Sequence, residues 1–217
     1  MRPAVVLVLM PLLLLISACS DDNPPSPVPI TPVPQGGTQL SPQIYVLRPD
    51  QLRDYTRTEN ITLDSAALAA RENDLTLQKT FDSQGMVGGF RSTFQPPQNA
   101  TRPFTQIISE SVVFKADAGA GQFFTDEVSR RSVADTGQTL EQLSGLPLNG
   151  VDQLKGLLVT LAPQDTGPPP KAFFVLLRRG RVITELFGGG DAATATLDAF
   201  TPLVTVQEQL MAASPTA

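Results

Sequence analysis

The stretch that most constrains this chain is residues 171–187, KAFFVLLRRGRVITELF. Phe173, Phe174, Val175, Leu176 and Leu177 follow one another without a polar break. A strand half covered by a core alternates apolar and polar residues. One that is apolar throughout needs cover on both faces. Residues 171–178 therefore read as a central strand, Arg179-Gly180 as a two-residue turn, and 181–187 as the returning strand. Gly180 tolerates the positive φ that tight hairpins need. A central antiparallel strand of this kind demands layers on both sides of a sheet.

The remaining pattern supplies them. Residues 43–57 form a lead-in, with Ile44, Tyr45, Val46 and Leu47 extended, Leu52 and Tyr55 packed, and Arg53 to Thr58 polar. Asp64 or Ser65 caps a helix broken near Asn73-Asp74 and stopped by Gly85. A strand follows over 86–94, with Phe90 and Phe94 on one side and a bend or bulge at Gly88-Gly89. Residues 105–115 are strongly β-prone. Ile108, Val112 and Phe114 share one face, and Ser109, Ser111 and Val113 the other. Asp117 caps the next helix, which buries Phe123, Phe124 and Val128 and ends on Arg130-Arg131, suited to its dipole. Residues 132–150 read as loops, 156–161 as a short strand, and Pro168 to Pro170 as a stiff connection. Gly188 to Gly190 read as a flexible release before a final helix capped by Asp191. Its stripe is Leu197, Phe200, Val204, Leu210 and Met211. Pro202 predicts a kink or a restart capped by Thr201. Helices between hairpin-joined strands point to an α+β fold, an antiparallel sheet with helices packed on its faces.

The N-terminus is an address rather than part of the fold. Arg2 is followed by an apolar run from Ala4 to Ile16. As a helix it would span only about 20 Å, short of a hydrocarbon core of roughly 30 Å. The run ends Ile16-Ser17-Ala18-Cys19, which resembles the lipobox of bacterial lipoproteins. That resemblance implies removal of residues 1–18 and acylation of Cys19, with palmitate-type chains holding the protein to a membrane. Residues 19–42 then form a Pro-rich disordered tether, and 43–217 a single α+β domain.

Composition excludes several function classes. The chain has one Cys, no His and no Trp. No Ser-His-Asp or Cys-His pair is possible, nor an imidazole metal ligand. We expect no enzyme, no catalytic residue, no metal and no cofactor. The formal net charge is −5 over the chain, which argues against nucleic acid. Glu110 and the pair Asp126-Glu127 are the carboxylates that a paired-acid mechanism would use. Nothing in the spacing brings them together, so solvated surface charge is the expectation. Ser109-Glu110-Ser111 is a weaker candidate for a polar strand face looking into a cleft. Arg178, Arg179 and Arg181 make a basic hairpin tip, a candidate surface contact. Phe90, Phe94, Phe114, Phe123 and Phe173 are candidate lining for an apolar pocket between sheet and helices.

The segments 88–94 (GGFRSTF), 107–128 (IISESVVFKADAGAGQFFTDEV) and 172–187 with its trailing helix resemble, in layout, the PsbP/Mog1-like α/β/α sandwich of extracytoplasmic lipoproteins of the LpqN type. The resemblance implies that fold and no catalytic residue. It also implies an accessory, sensory or ligand-binding role in the cell envelope. The expected function is a lipid-anchored extracytoplasmic protein with a partner-binding domain. The alternative is a carrier or sensor of a small hydrophobic ligand.

Overall fold

Phe173 to Leu177 are buried on both sides of their strand, and the architecture follows from that. The computed structural model describes residues 40–147, 149–162 and 169–214. The signal segment 1–18, Cys19, most of the tether and Pro168 lie outside the described residues. Seven strands form one antiparallel sheet: β1 (Thr56–Leu63), β2 (Met86–Gln95), β3 (Gln106–Phe114), β4 (Thr139–Gln142), β5 (Gln153–Thr160), β6 (Lys171–Arg179) and β7 (Val182–Gly190). Their order is β1-β2-β3-β7-β6-β5-β4.

Helices cover both faces. On one, α1 (Ser65–Arg71), α2 (Leu77–Ser83) and α3 (Asp117–Arg131) set Leu68, Phe81, Phe123 and Phe124 against Val112, Phe114, Phe174, Leu176 and Ile183. On the other, α4 (Leu197–Ala213) and residues 40–52 set Phe200, Val204, Tyr45 and Leu47 against Ile107, Val113, Phe173, Val175 and Leu177. The fold is α+β, as the pattern requires, and the facing of residues 108–114 follows their alternation. Leu40 already belongs to this core at 4% exposure, so the packed chain begins before residue 43.

Local chemistry sets the ends. Asp64 accepts the Ala67 N–H at 2.7 Å and starts α1. Asn73 at φ 54° separates α1 from α2, and Gly85 at φ 79° closes α2. β2 carries an irregularity between Met86 and Gly88.

Several expectations need correction. The lead-in expected over 43–57 gives way at Thr56 to a strand that runs on to Leu63, where no element was expected; only Leu63 is buried, so this edge strand has little apolar alternation to read. β4 was expected as loop and has one half-buried residue, Leu140. Residues 42–45 form a 3-10 turn, not an extended run, because Pro42 supplies its first position. The hairpin turn is Gly180-Arg181, since Arg179 pairs with Val182. Gly180 stands first at φ 54°, as type II′ turns prefer. Gly188 to Gly190 do not release the chain but finish β7. A Cβ on Gly188 would lie 3.0 Å from Phe200, and one on Gly190 2.5 Å from the Pro103 carbonyl oxygen. Those glycines allow close packing. Ala116, not Asp117, is the N-cap of α3. Thr196, not Asp191, caps α4. Asp191 instead accepts the Ala193 N–H at 2.9 Å in a turn. α4 runs on through Pro202. Thr201 caps nothing and donates to the Leu197 carbonyl at 2.9 Å. The lost bond falls at exposed Asp198, while Phe200, Val204, Gln207 and Met211 hold the helix to the sheet through burial.

Candidate functional site

Strand alternation places Glu110 on the same face as Val112 and Phe114, beneath α1 to α3. Register sets it opposite Arg91 of β2 and Glu185 of β7. A charged row therefore crosses the middle of an otherwise apolar sheet. Helix spacing completes it from above. Glu127 lies one turn before Arg130 and Arg131 on α3, within reach of both, and Arg71 ends α1 beside Glu72.

Arg71 donates through Nη1 to Glu110 Oε2 and through Nη2 to Glu72 Oε1 at 2.6 Å. The same Nη2 is 3.7 Å from Glu185 Oε2. Arg130 Nη1 meets Glu72 Oε2 at 3.1 Å, and its Nη2 meets Glu127 Oε2. Arg131 Nε meets Glu127 Oε1 at 2.7 Å, and its Nη2 reaches Glu72 at 3.2 Å and Glu185 at 3.5 Å. Arg131 also lies over the Phe174 ring, 5.0 Å from its centre, a cation–π arrangement.

Glu110 is 2% exposed and Glu127 1%. The expectation of solvated surface charge is therefore overturned for both, because α1 and α3 close over the row. Asp126, half-buried, accepts from Gln84 at 2.8 Å and Gln122 at 2.8 Å. Burial pushes the Glu110 carboxyl up to about 8; Arg71 opposes this and Glu185 adds to it. Burial, then Glu185, also raises Glu127 against the pull of Arg131 and Arg130. Burial works against an ionised Glu72 too, but Arg131, Arg71 and Arg130 outweigh it and hold that carboxyl below its ordinary range. Burial disfavours the charge on Arg71 and Arg131, yet the surrounding glutamates, Glu185 foremost, keep both firmly protonated.

Ser109 and Ser111 are not part of this row. They face the other side and hold the N-terminal segment. Ser111 Oγ donates to the Pro42 carbonyl at 2.5 Å. Ser109 Oγ accepts the Leu47 N–H at 3.0 Å and donates to Gln207 Oε1 at 2.8 Å.

The row meets the surface at the end of α3. A half-open cleft of about 500 Å³ lies at the end of α3. Glu72, Asp74 and Leu77 line it from α1, α2 and their connection; Arg130, Arg131 and Val133 from the end of α3. Asp135 and Gln138 form one rim, and Leu140 and Val159 the sheet side. Val133 is 74% exposed, and Leu75, in the turn between Asp74 and Leu77, is 71% exposed. Charged groups fixed from behind, with the Val133 side chain free at the mouth, suit the binding of a mixed polar and apolar surface. Among the described residues no group of three or more His, Cys, Asp or Glu is placed to hold a metal ion, and no helix is long and apolar enough to cross a membrane.

The expected site residues are distributed as follows. Cys19 lies outside the described residues. Phe114 and Phe123 touch each other in the core under α1 to α3, with ring centres 5.1 Å apart. Phe94 and Phe173 sit in the opposite core, where Phe173 stacks on Phe200 at 5.3 Å. Phe90 lines a shallow groove with Val46, Leu47 and Arg57. The sheet separates these five, so they do not share one chamber. Arg178, Arg179 and Arg181 are half-buried. Arg178 donates to Gln153 at 2.6 Å and to the Gly180 carbonyl at 3.1 Å, and Arg179 to the Met211 carbonyl. These two fasten the hairpin to its neighbours rather than project from it. The residues that sequence reasoning missed are Arg71, Glu72 and Glu185. The signal for Glu185 was a lone Glu inside the apolar strand ITELF, the same anomaly as Glu110.

No family model and no curated protein matches this chain. Its structure is similar to the crystal structure of the extracellular domain of PknH from Mycobacterium tuberculosis. The TM-score is 0.52 at 10% sequence identity, covering 81% of this chain and 97% of that one. At that identity the likeness is one of fold.

Proposed function

We propose that this chain is a lipid-anchored extracytoplasmic protein whose α+β domain binds a partner without catalysing a reaction, and that the cleft at the end of α3 is the binding site. The carrying observation is the cleft itself: exposed Val133, with Leu77 and Leu140, beside Arg130 and Arg131, whose guanidiniums are held from behind by buried Glu127. Apolar side chains rimmed by fixed charge are the anatomy of a recognition surface. The fold shared with a domain described as extracellular supports the location, and the Ile16 to Cys19 motif supports the anchor. Glu72, Glu110, Glu127 and Glu185 each face a guanidinium, which suits a binding scaffold better than proton transfer. Carriage of a small hydrophobic molecule has less support, because Phe94, Phe114, Phe123 and Phe173 lie in two separate packed cores and Phe90 lines a shallow groove.

Two measurements on the full chain in bacterial cells test this. Labelled palmitate should enter the protein and be lost in Cys19→Ser, with the variant moving to the soluble fraction. A photo-crosslinking side chain at Val133 should yield one discrete adduct, and one at exposed Val87 should not. Unchanged membrane association of Cys19→Ser would sink the anchor. Equal crosslinking from Val87 would sink the cleft.

A further inference from the structure

Building on the cleft reading, we propose its occupant: an extended, basic segment of a partner protein that continues the sheet along the free edge of β4. Its Lys or Arg side chains would lie against Asp135 and Asp74, and an apolar side chain against Leu140 and Val133.

Three observations carry this. The first is the edge. β4 is last in the sheet order and pairs on one side only, with β5. Its outer backbone N–H and C=O groups have no strand partner among the described residues. An extended peptide satisfies such groups by adding a strand, and takes its specificity from alternate side chains. Leu140 pairs with Val159, and both line the cleft. A residue placed opposite Leu140 would extend that apolar row over the cleft floor.

The second is charge. Glu72, Asp74 and Asp135 line the cleft, and Glu110, Glu127 and Glu185 stand behind them. Arg71, Arg130 and Arg131 are taken up by the glutamates of the row. The carboxyls at the cleft with no salt bridge among the described residues are those of Asp135 and Asp74. An anionic ligand would have to take Arg130 or Arg131 from Glu72 and Glu127. A cation meets Asp135, which has no ion pair among the described residues. It also meets Asp74, whose carboxylate accepts the Thr76 N–H at 2.9 Å and the Thr76 hydroxyl at 2.5 Å and feels Arg130 nearby, with no salt bridge among the described residues.

The third is size and texture. About 500 Å³ with one open side admits a few side chains of an extended segment. The mouth offers Val133 as an exposed apolar contact. The opposite sheet edge is less suited. β1 is irregular between Arg57 and Glu59, and its exposed residues are polar apart from Ile61, features that discourage strand addition.

The test uses the full-length protein in nanodiscs and short fluorescent peptides. One alternates Lys and Val, its twin has Glu for each Lys, and a third is the Lys peptide with a central Pro. Anisotropy should report binding of the Lys peptide, weakened by salt and lost with Pro, which removes a ladder donor. Asp135→Asn and Asp74→Asn should each weaken it about two- to fivefold, the size of an exposed ion pair. Both residues are exposed, so unchanged thermal melts are expected. Equal binding of the Glu twin, or no effect of either Asn variant, overturns the inference. If the peptides fail while Val133 still crosslinks a partner in cells, the basic occupant is wrong and the cleft stands. If Val133 gives no adduct either, the cleft reading falls with it.

Discussion

Arg71, at the end of α1, donates to the carboxylate of Glu110 in the middle of β3, and the two side chains are 19% and 3% exposed. A seven-residue helix is too short to be stable on its own, so this pair and the burial of Leu68 hold α1 to the sheet. Removing Arg71 takes the shared donor away from the buried Glu110 and from Glu72. Arg71→Met should therefore cost about 1–3 kcal/mol, the cost of leaving buried polar groups unsatisfied. Arg71→Lys should recover only part of that, because Lys lacks the fork that spans Glu110, Glu72 and Glu185. Urea unfolding measures both. A loss for Arg71→Met no larger than about 1 kcal/mol, typical of a surface pair, would refute the role.

The carboxyl of Glu110 titrates higher in the folded protein than in the unfolded chain, near 8, chiefly through burial. The folded state thus binds the extra proton. Its stabilising contribution is complete below the unfolded value and is lost as pH rises toward about 8. The urea midpoint of the parent should fall between pH 5 and pH 9 relative to that of Glu110→Gln, which carries no titrating group there. Parallel curves for the two proteins would assign the titration elsewhere. Glu127 is shifted in the same direction and should add a smaller share of the same sign.

Gly119 and Gly121 lie on α3 two residues apart and should respond oppositely to Ala. A Cβ on Gly119 would stand 1.8 Å from the Gln84 carbonyl oxygen, whereas one on Gly121 meets nothing within 4 Å. Gly121→Ala should stabilise by about 0.5–1 kcal/mol through helix propensity. Gly119→Ala should destabilise despite the same propensity gain, by driving α3 away from the end of α2. Thermal melts decide it, and stabilisation by both would mean that the close approach at Gln84 is not maintained.

Gln207 of α4 is fully buried. Its amide donates to the Tyr45 carbonyl and accepts from Ser109. This ties the N-terminal segment around Tyr45 to both α4 and β3. Gln207→Leu should cost about 1–3 kcal/mol, the cost of leaving buried polar groups unsatisfied. Ser109→Ala and Gln207→Leu together should cost less than the sum, because they break one network. Strict additivity in urea would contradict that network.

Strong elements were readable and weak ones were not. The β6–β7 hairpin was legible because an unbroken apolar run has few places to go. The alternation of residues 108–114 gave both faces of β3, and Asp64 and Gly85 marked the α1–α2 unit. β1 and β4 left no such trace. At a sheet edge, Thr56 to Thr62 and Thr139 to Gln142 are solvated, and backbone pairing alone makes them strands. Gly188 to Gly190 misled for a related reason. Glycine permits flexibility and close packing alike, and only Phe200, Phe104 and Pro103 in place decide between them.

From the residues alone came the class of the fold, the two-sided cover of Phe173 to Leu177, the expectation of lipidation at Cys19, and the exclusion of histidine chemistry. Those follow from composition, period and local motif, which are properties of neighbours in the chain. The charged row was decided by tertiary structure. Arg71, Glu72, Glu110, Glu127, Arg130, Arg131 and Glu185 come from two helices and two strands. The helix residues each read as ordinary surface charge, and Glu110 and Glu185 stand out only as single acids within apolar strands. Only the stacking of α1 and α3 over β3 and β7 removes their water, and burial then makes pairing obligatory. The cleft belongs to the same level. Asp135, Val133 and Leu140 meet Glu72 and Asp74 there only because β4 returns to the far edge of the sheet.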